Sequence, residues 1–183
     1  MFNKQDKQKY LNRLTILGIL LLVNMALFYI PGFPGSIQAI TRDYKESVIP
    51  DMRFGYDAED LSIFLKEIGP DGRAAFQRMH LTIDLLFPLI YGLLLGLLIH
   101  RFTDQSELSG KHLYLLAFCP VIFDLIENFF LIYITNQYPS LPKLADFVQI
   151  FTYGKFFELI FLICFIIFLG IKFKLSNNEN ITK

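Results

Sequence analysis

The sequence has no tryptophan, only two cysteines and no net charge. Cys119 and Cys164 lie inside apolar runs without partner spacing, which excludes a disulfide framework and a cysteine-based zinc site. Seventeen Lys and Arg balance seventeen Asp and Glu, so the electrostatic footprint of a nucleic-acid binder is missing and no nucleic-acid partner is expected. No nucleophile elbow, metal-ligand triad or phosphate-binding loop can be found. The enzyme classes built on those motifs therefore lack support, and neither a metal nor a cofactor is expected.

What is present is apolar. Hydrophobic residues make up 54% of the 183 residues, 20 of them Phe, and the mean hydropathy is +0.44. A soluble domain averages about 45–50% apolar even with glycine counted, so the surplus points to a bilayer. Crossing a hydrocarbon core of about 30 Å takes roughly 20 apolar helical residues. Four stretches qualify: residues 14–30, 81–99, 113–134 and 147–171. They predict an all-α fold, a four-transmembrane-helix bundle forming a single membrane domain over residues 1–183.

The first stretch follows Lys4, Lys7, Lys9 and Arg13, as a signal peptide would. It is 17 residues long, however, with no small-residue cleavage site after it, and reads as a retained signal-anchor helix. Positive charge also sits in the 100–112 turn (Arg101, Lys111) and in the C-terminal tail (Lys172, Lys174, Lys183). The 135–146 turn has Lys143 alone. This asymmetry predicts a multi-pass protein of the bacterial inner membrane with both termini cytoplasmic.

Residues 31–80 are the sizeable extramembrane segment. The first half, through Asp51, shows no periodicity. In the second, Asp57 can cap a short amphipathic helix whose apolar positions Leu61, Phe64, Leu65 and Ile68 recur at i, i+3, i+4 and i+7. Gly69-Pro70 ends it, and Asp71 is expected to cap the next helix, which should run unbroken from Arg73 into the second span. Too short to span, the amphipathic helix belongs on the membrane surface or across the mouth of the bundle, as a passive interfacial element or as a lid.

Five ionisable side chains fall inside the spans: Asp84, Asp124, Glu127, Lys155 and Glu158. Each costs about 2.5–3.5 kcal/mol on insertion scales, so such groups turn toward the bundle interior. Asp124, Glu127 and Asn128 share one face of the third span. Thr152, Lys155 and Glu158 step along the fourth, while His80, Asp84 and Tyr91 form a stripe on the second. At about 1.5 Å per residue the five charged groups lie about 5–17 Å from the face that carries the long loop. One shared cluster is expected.

Within it, four carboxylates face one ammonium. Either some acids are protonated or a cation completes the site. Asp84, Tyr91, Asp124, Glu127, Asn128, Lys155 and Glu158 are therefore the candidate ligand- or ion-binding residues. His80, Asp84 and Glu127 are the candidates for acid–base chemistry, His80 being able to exchange protons with Asp84. The plain alternative is assembly alone: Lys155 paired with Asp124 or Glu127, Asn128 and Asn24 bonded across helices, and Tyr91 a core residue with its hydroxyl satisfied. Pro88 and Pro120 are expected to bend their helices.

The stretch from Phe54 to Gly92, with Gly55-Tyr56-Asp57, Gly69-Pro70-Asp71-Gly72-Arg73 and Asp84…Pro88…Tyr91, resembles a group of small, mostly uncharacterised bacterial four-helix membrane proteins. The Asp124-x-x-Glu127-Asn128 element resembles the same group, which implies a fold but no activity. In layout the chain is also similar to the EXPERA fold of sterol isomerases and the sigma-2 receptor. That resemblance implies that His80, Asp84 and Glu127 hold a cationic or carbocationic ligand in an apolar cavity, although the Trp common in that pocket is absent here.

Three functions follow as expectations. The first is binding or carriage of a proton, a cation or a small lipophilic cationic ligand. The second is a membrane enzyme doing acid–base, isomerase-like chemistry on a lipid-like substrate. The third is a structural or accessory membrane subunit. The bilayer is the expected partner, and a bundle of this size leaves homo-oligomerisation open.

Overall fold

The computed structural model describes residues 4–42, 49–104 and 112–179. Lys111 and Lys183, which entered the orientation argument, lie outside them. Among the described residues there is no strand, and four helices are long and apolar enough to cross a membrane. Helix α1 (Lys4–Tyr29) leads through the single turn α2 (Ile37–Ile40) and a 3₁₀ turn, Pro50–Met52, to α3 (Ala58–Glu67) and α4 (Gly69–Leu81). Helix α5 (Ile83–Asp104) follows. A 3₁₀ segment Leu113–Phe118 precedes α6 (Cys119–Gln137), and another, Lys143–Asp146, precedes α7 (Gln149–Glu179). The bundle is all-α, as the apolar runs predict.

Helix α3 is the amphipathic helix of the long loop. Asp57 Oδ1 accepts from the Asp60 amide at 2.8 Å, and Asp60 Oδ2 accepts from the Asp57 amide at 3.2 Å. This reciprocal cap satisfies two of the amide donors left free where a helix begins. The apolar positions Leu61, Phe64, Leu65 and Ile68 are all buried in a core shared with Phe76 and Met79 of α4 and Leu131 and Ile134 of α6. The helix therefore lies across the loop end of the bundle with its apolar face against protein. Each large side chain so buried is worth about 1.5–3 kcal/mol.

Two expectations for the next helix are corrected. Asp71 does not cap it: α4 begins at Gly69, its cap residue is Ile68 with no side-chain bond, and Asp71 sits within the first turn. Gly69 takes φ +64, which lets the chain turn from α3 straight into α4 and leaves no free position for an Asp cap. Arg73 ties the corner by donating to the Leu65 carbonyl at 2.7 Å while stacking over Tyr138. The helix also does not run unbroken into the second span, because α4 and α5 part at Thr82, with φ −125 and ψ −93. The Thr82 hydroxyl donates to the Arg78 carbonyl at 2.6 Å, offering that acceptor an alternative to the helical ladder.

The two prolines also differ. Pro88 lies inside α5, but Pro120 stands at the start of α6 and bends nothing. In a first turn its missing N–H has no carbonyl to serve.

The apolar packing falls into two parts. One core joins α2, α3, α4 and the loop-side ends of α5 and α6. A second, built on Ile99, Ala117, Leu162 and Leu169, closes the far end. Between them along α5, α6 and α7 lies a layer of buried polar side chains: Asp84, Asp124, Glu127, Asn128, Thr152 and Lys155.

Candidate functional site

The polar layer divides into two linked groups. In the first, Lys155 of α7 reaches across to α6. Its ammonium lies 2.7 Å from Glu127 Oε2 and 3.3 Å from Asp124 Oδ1. Tyr91 of α5 donates to Asp124 Oδ2 at 3.2 Å, and Tyr56 donates to Glu127 Oε1 at 3.2 Å. The Thr152 hydroxyl donates to the same Glu127 oxygen. Glu127, entirely buried, is thus held by the Tyr56 hydroxyl from the loop before α3 and by the Thr152 hydroxyl and Lys155 ammonium of α7. Burial raises the Tyr56 phenol above its ordinary value, and the Glu127 charge adds to the effect. It stays a protonated donor.

The second group centres on His80. Its Nδ1 lies 2.7 Å from Asp84 Oδ2 and 3.1 Å from Asn128 Oδ1. Asn128 Nδ2 in turn donates to the Asp84 backbone carbonyl at 3.1 Å. That carbonyl would ordinarily receive the N–H four residues on, but position 88 is proline and has none. A side-chain amide from α6 therefore supplies the donor that α5 cannot. With the Asn128 nitrogen so engaged, its oxygen faces His80, and Nδ1–H is the donor to both Asn128 and Asp84. On α1, Asn24 makes a similar cross-helix bond, donating to the Ile83 carbonyl at 3.1 Å.

This pairing predicts a double-mutant result. Asn128→Leu strands the Asp84 carbonyl and removes one of the two acceptors of the His80 Nδ1–H, an expected loss of about 1–3 kcal/mol. Pro88→Ala restores an N–H for that carbonyl, so the double variant should recover roughly 0.5–1.5 kcal/mol of it. Reversible unfolding in mixed micelles measures the cycle. Simple additivity would show that the carbonyl does not couple the two residues.

Asp51 completes the second group, and no periodicity pointed to it. Its 3₁₀ turn is pinned by Ile49 and Pro50, both buried, and this carries the carboxylate inward to 3% exposure. Asp51 Oδ1 has no hydrogen-bond partner among the described residues, and neither has His80 Nε2. Burial pushes the Asp51 carboxyl above the ordinary 3.8. The Asp84 charge adds to that rise, and His80 and Lys155 oppose it. A ring nitrogen of His80 and one carboxylate oxygen each from Asp51 and Asp84 lie within 4.8 Å of one another.

Both groups border one cavity of about 230 Å³. Asp51, Asp84, Asp124 and Lys155 form its polar side. Phe28, Met52, Phe87, Phe156 and Leu159 make apolar walls, and Met25 and Tyr29 of α1 complete the lining. Met25 and Tyr29 are exposed on the outer surface, so the cavity reaches the exterior beside α1.

The fold thus gathers His80, Asp84, Tyr91, Asp124, Glu127, Asn128 and Lys155. It does not bring in Glu158, which is half-buried and has no hydrogen bond or ion pair among the described residues. Three residues beyond Lys155, the helix has advanced less than one full turn, and Leu159 takes the cavity-facing position. Tyr56, Thr152 and Asp51 join the candidate residues. Thr152 was legible as the stripe mate of Lys155, but for Tyr56 and Asp51 no spacing offered a signal.

The ion pairs among the described residues give three of the four buried carboxylates, Asp84, Asp124 and Glu127, one ammonium, Lys155, and one imidazole, His80, and Asp51 takes part in none of them. Comparison with known proteins adds no neighbour: no family model matches the chain, and no curated protein or solved structure is similar to it.

Proposed function

We propose that this protein is a multi-pass protein of the bacterial inner membrane, with both termini cytoplasmic, that binds or carries a cation or small lipophilic cationic ligand in the cavity between α1 and α7. The observation that carries this reading is Asp51: a buried carboxylate with an unpartnered oxygen, on the wall of an apolar cavity. Asp124 and Glu127 share the Lys155 ammonium, whereas Asp51 and Asp84 have no ammonium within ion-pair reach among the described residues and face the His80 imidazole. An isolated buried carboxylate is expensive unless a cation or a proton meets it. Apolar walls and a mouth on the outer surface suit a ligand that arrives from the bilayer. A shared layout with the EXPERA fold would imply the same chemistry.

Ligand-induced thermal stabilisation of the full chain in lipid nanodiscs tests the reading, because whatever binds only the folded state raises the midpoint. The cations are Mn²⁺, Zn²⁺, K⁺ and n-octylammonium, with 1-octanol as the uncharged control. At least one cation should stabilise the native chain and leave the Asp51→Asn/Asp84→Asn variant unmoved. Failure of every cation, or an equal response in the variant, overturns the reading.

A further inference from the structure

We infer that Asp51, His80 and Asp84 form a binding site for a divalent transition-metal ion, which would be the cation of the reading above and rests on that reading. The donor set is one imidazole and two carboxylates converging within 4.8 Å. Mixed nitrogen and oxygen ligands of this kind suit Mn²⁺, Fe²⁺ and Zn²⁺ better than the all-oxygen preference of Mg²⁺ or Ca²⁺. All three side chains are buried. Asp51 lines the cavity, and its buried Oδ1 has no hydrogen-bond partner among the described residues.

The surroundings agree with coordination. Metal-binding histidines are oriented by carboxylate or amide neighbours. Here Asn128, which is outside the ligand set, bonds the imidazole, and the Phe76 ring packs edge-on against it at 4.4 Å between centroids. Charge favours a dication over an ammonium. With His80 neutral, the four carboxylates and Lys155 leave three negative charges uncompensated. A monovalent head group leaves two and a divalent ion leaves one.

The set also explains why no motif announced it. Asp51 comes from an aperiodic loop, while His80 and Asp84 lie on either side of the Thr82 break. Only the tertiary fold brings the third ligand in.

The test is metal titration of the full chain in nanodiscs after chelator treatment. Isothermal calorimetry and metal analysis follow Zn²⁺ and Mn²⁺, with Mg²⁺ and n-octylammonium as comparison probes. The expected result is one Zn²⁺ or Mn²⁺ per chain, bound at least 10-fold more weakly by Asp51→Asn and by His80→Gln, with Glu158→Gln binding like the native chain. Far-ultraviolet circular dichroism and unfolding midpoints confirm that the variants fold.

Metal binding that is equal in native, Asp51→Asn and His80→Gln chains overturns the site. Binding of n-octylammonium with no response to either metal overturns the metal inference and leaves the cation reading standing. Silence to every probe overturns both.

Discussion

Lys155→Met is expected to destabilise the protein by about 3–5 kcal/mol, the usual result of removing one member of a buried ion pair. Lys155 is the ammonium within 4 Å of both Asp124 and Glu127, and all three are buried. Without it, two carboxylates stand between α5, α6 and α7 with only hydroxyl donors from Tyr56, Tyr91 and Thr152. Methionine has nearly the same length and apolar stem, so lost packing contributes little. The decisive comparison is the triple variant Lys155→Met/Asp124→Asn/Glu127→Gln. Removing the orphaned charges along with their partner should return most of the lost stability, because the amides keep the hydroxyl bonds. Unfolding in mixed micelles at neutral pH reads both. A Lys155→Met protein within about 1 kcal/mol of native would show that the pair contributes no more than an exposed one.

Asp51→Asn is expected to move stability the other way while removing the site. The Asp51 carboxyl is raised by burial, so the folded state holds its proton more tightly than the unfolded chain does. Such a group stabilises the fold at low pH. That contribution is lost as pH climbs from the ordinary 3.8 through the raised folded value. At pH 7 in the presence of chelator the native chain has given up part of that contribution, and the asparagine variant, which does not titrate, has not. The variant should therefore be more stable there, on the order of 1–3 kcal/mol, with a flatter dependence on pH. Unfolding midpoints of the two proteins between pH 4 and pH 8 provide the check. Parallel profiles would show that Asp51 already has a partner in the resting protein. Gain of stability with loss of cation binding would mark Asp51 as a residue retained for function.

Much of the fold can be read from local pattern. The four apolar runs, the Asp57 cap and the buried positions of α3 each follow from spacing along one helix. So do the stripes that place Asp124, Glu127 and Asn128 on one face of α6. The Thr82 break is a different matter, since a threonine in a helix-compatible stretch offers little to distinguish a bent position from a straight one. Pro88 suggested a bend, and its recorded role is chemical: it frees the carbonyl that Asn128 takes up.

By itself, then, the sequence determined the class of molecule and the turn of each helix toward its neighbours, because period 3.6 and the cost of charge in hydrocarbon act within a single segment. It also set the excess of acid over base, which is a matter of counting. The tertiary structure decided which partner each acid receives, left Glu158 aside and carried Asp51 into the interior on the burial of Ile49 and Pro50. Helical period names a face but not the residue opposite it. A loop without periodicity takes its path from the packing it meets.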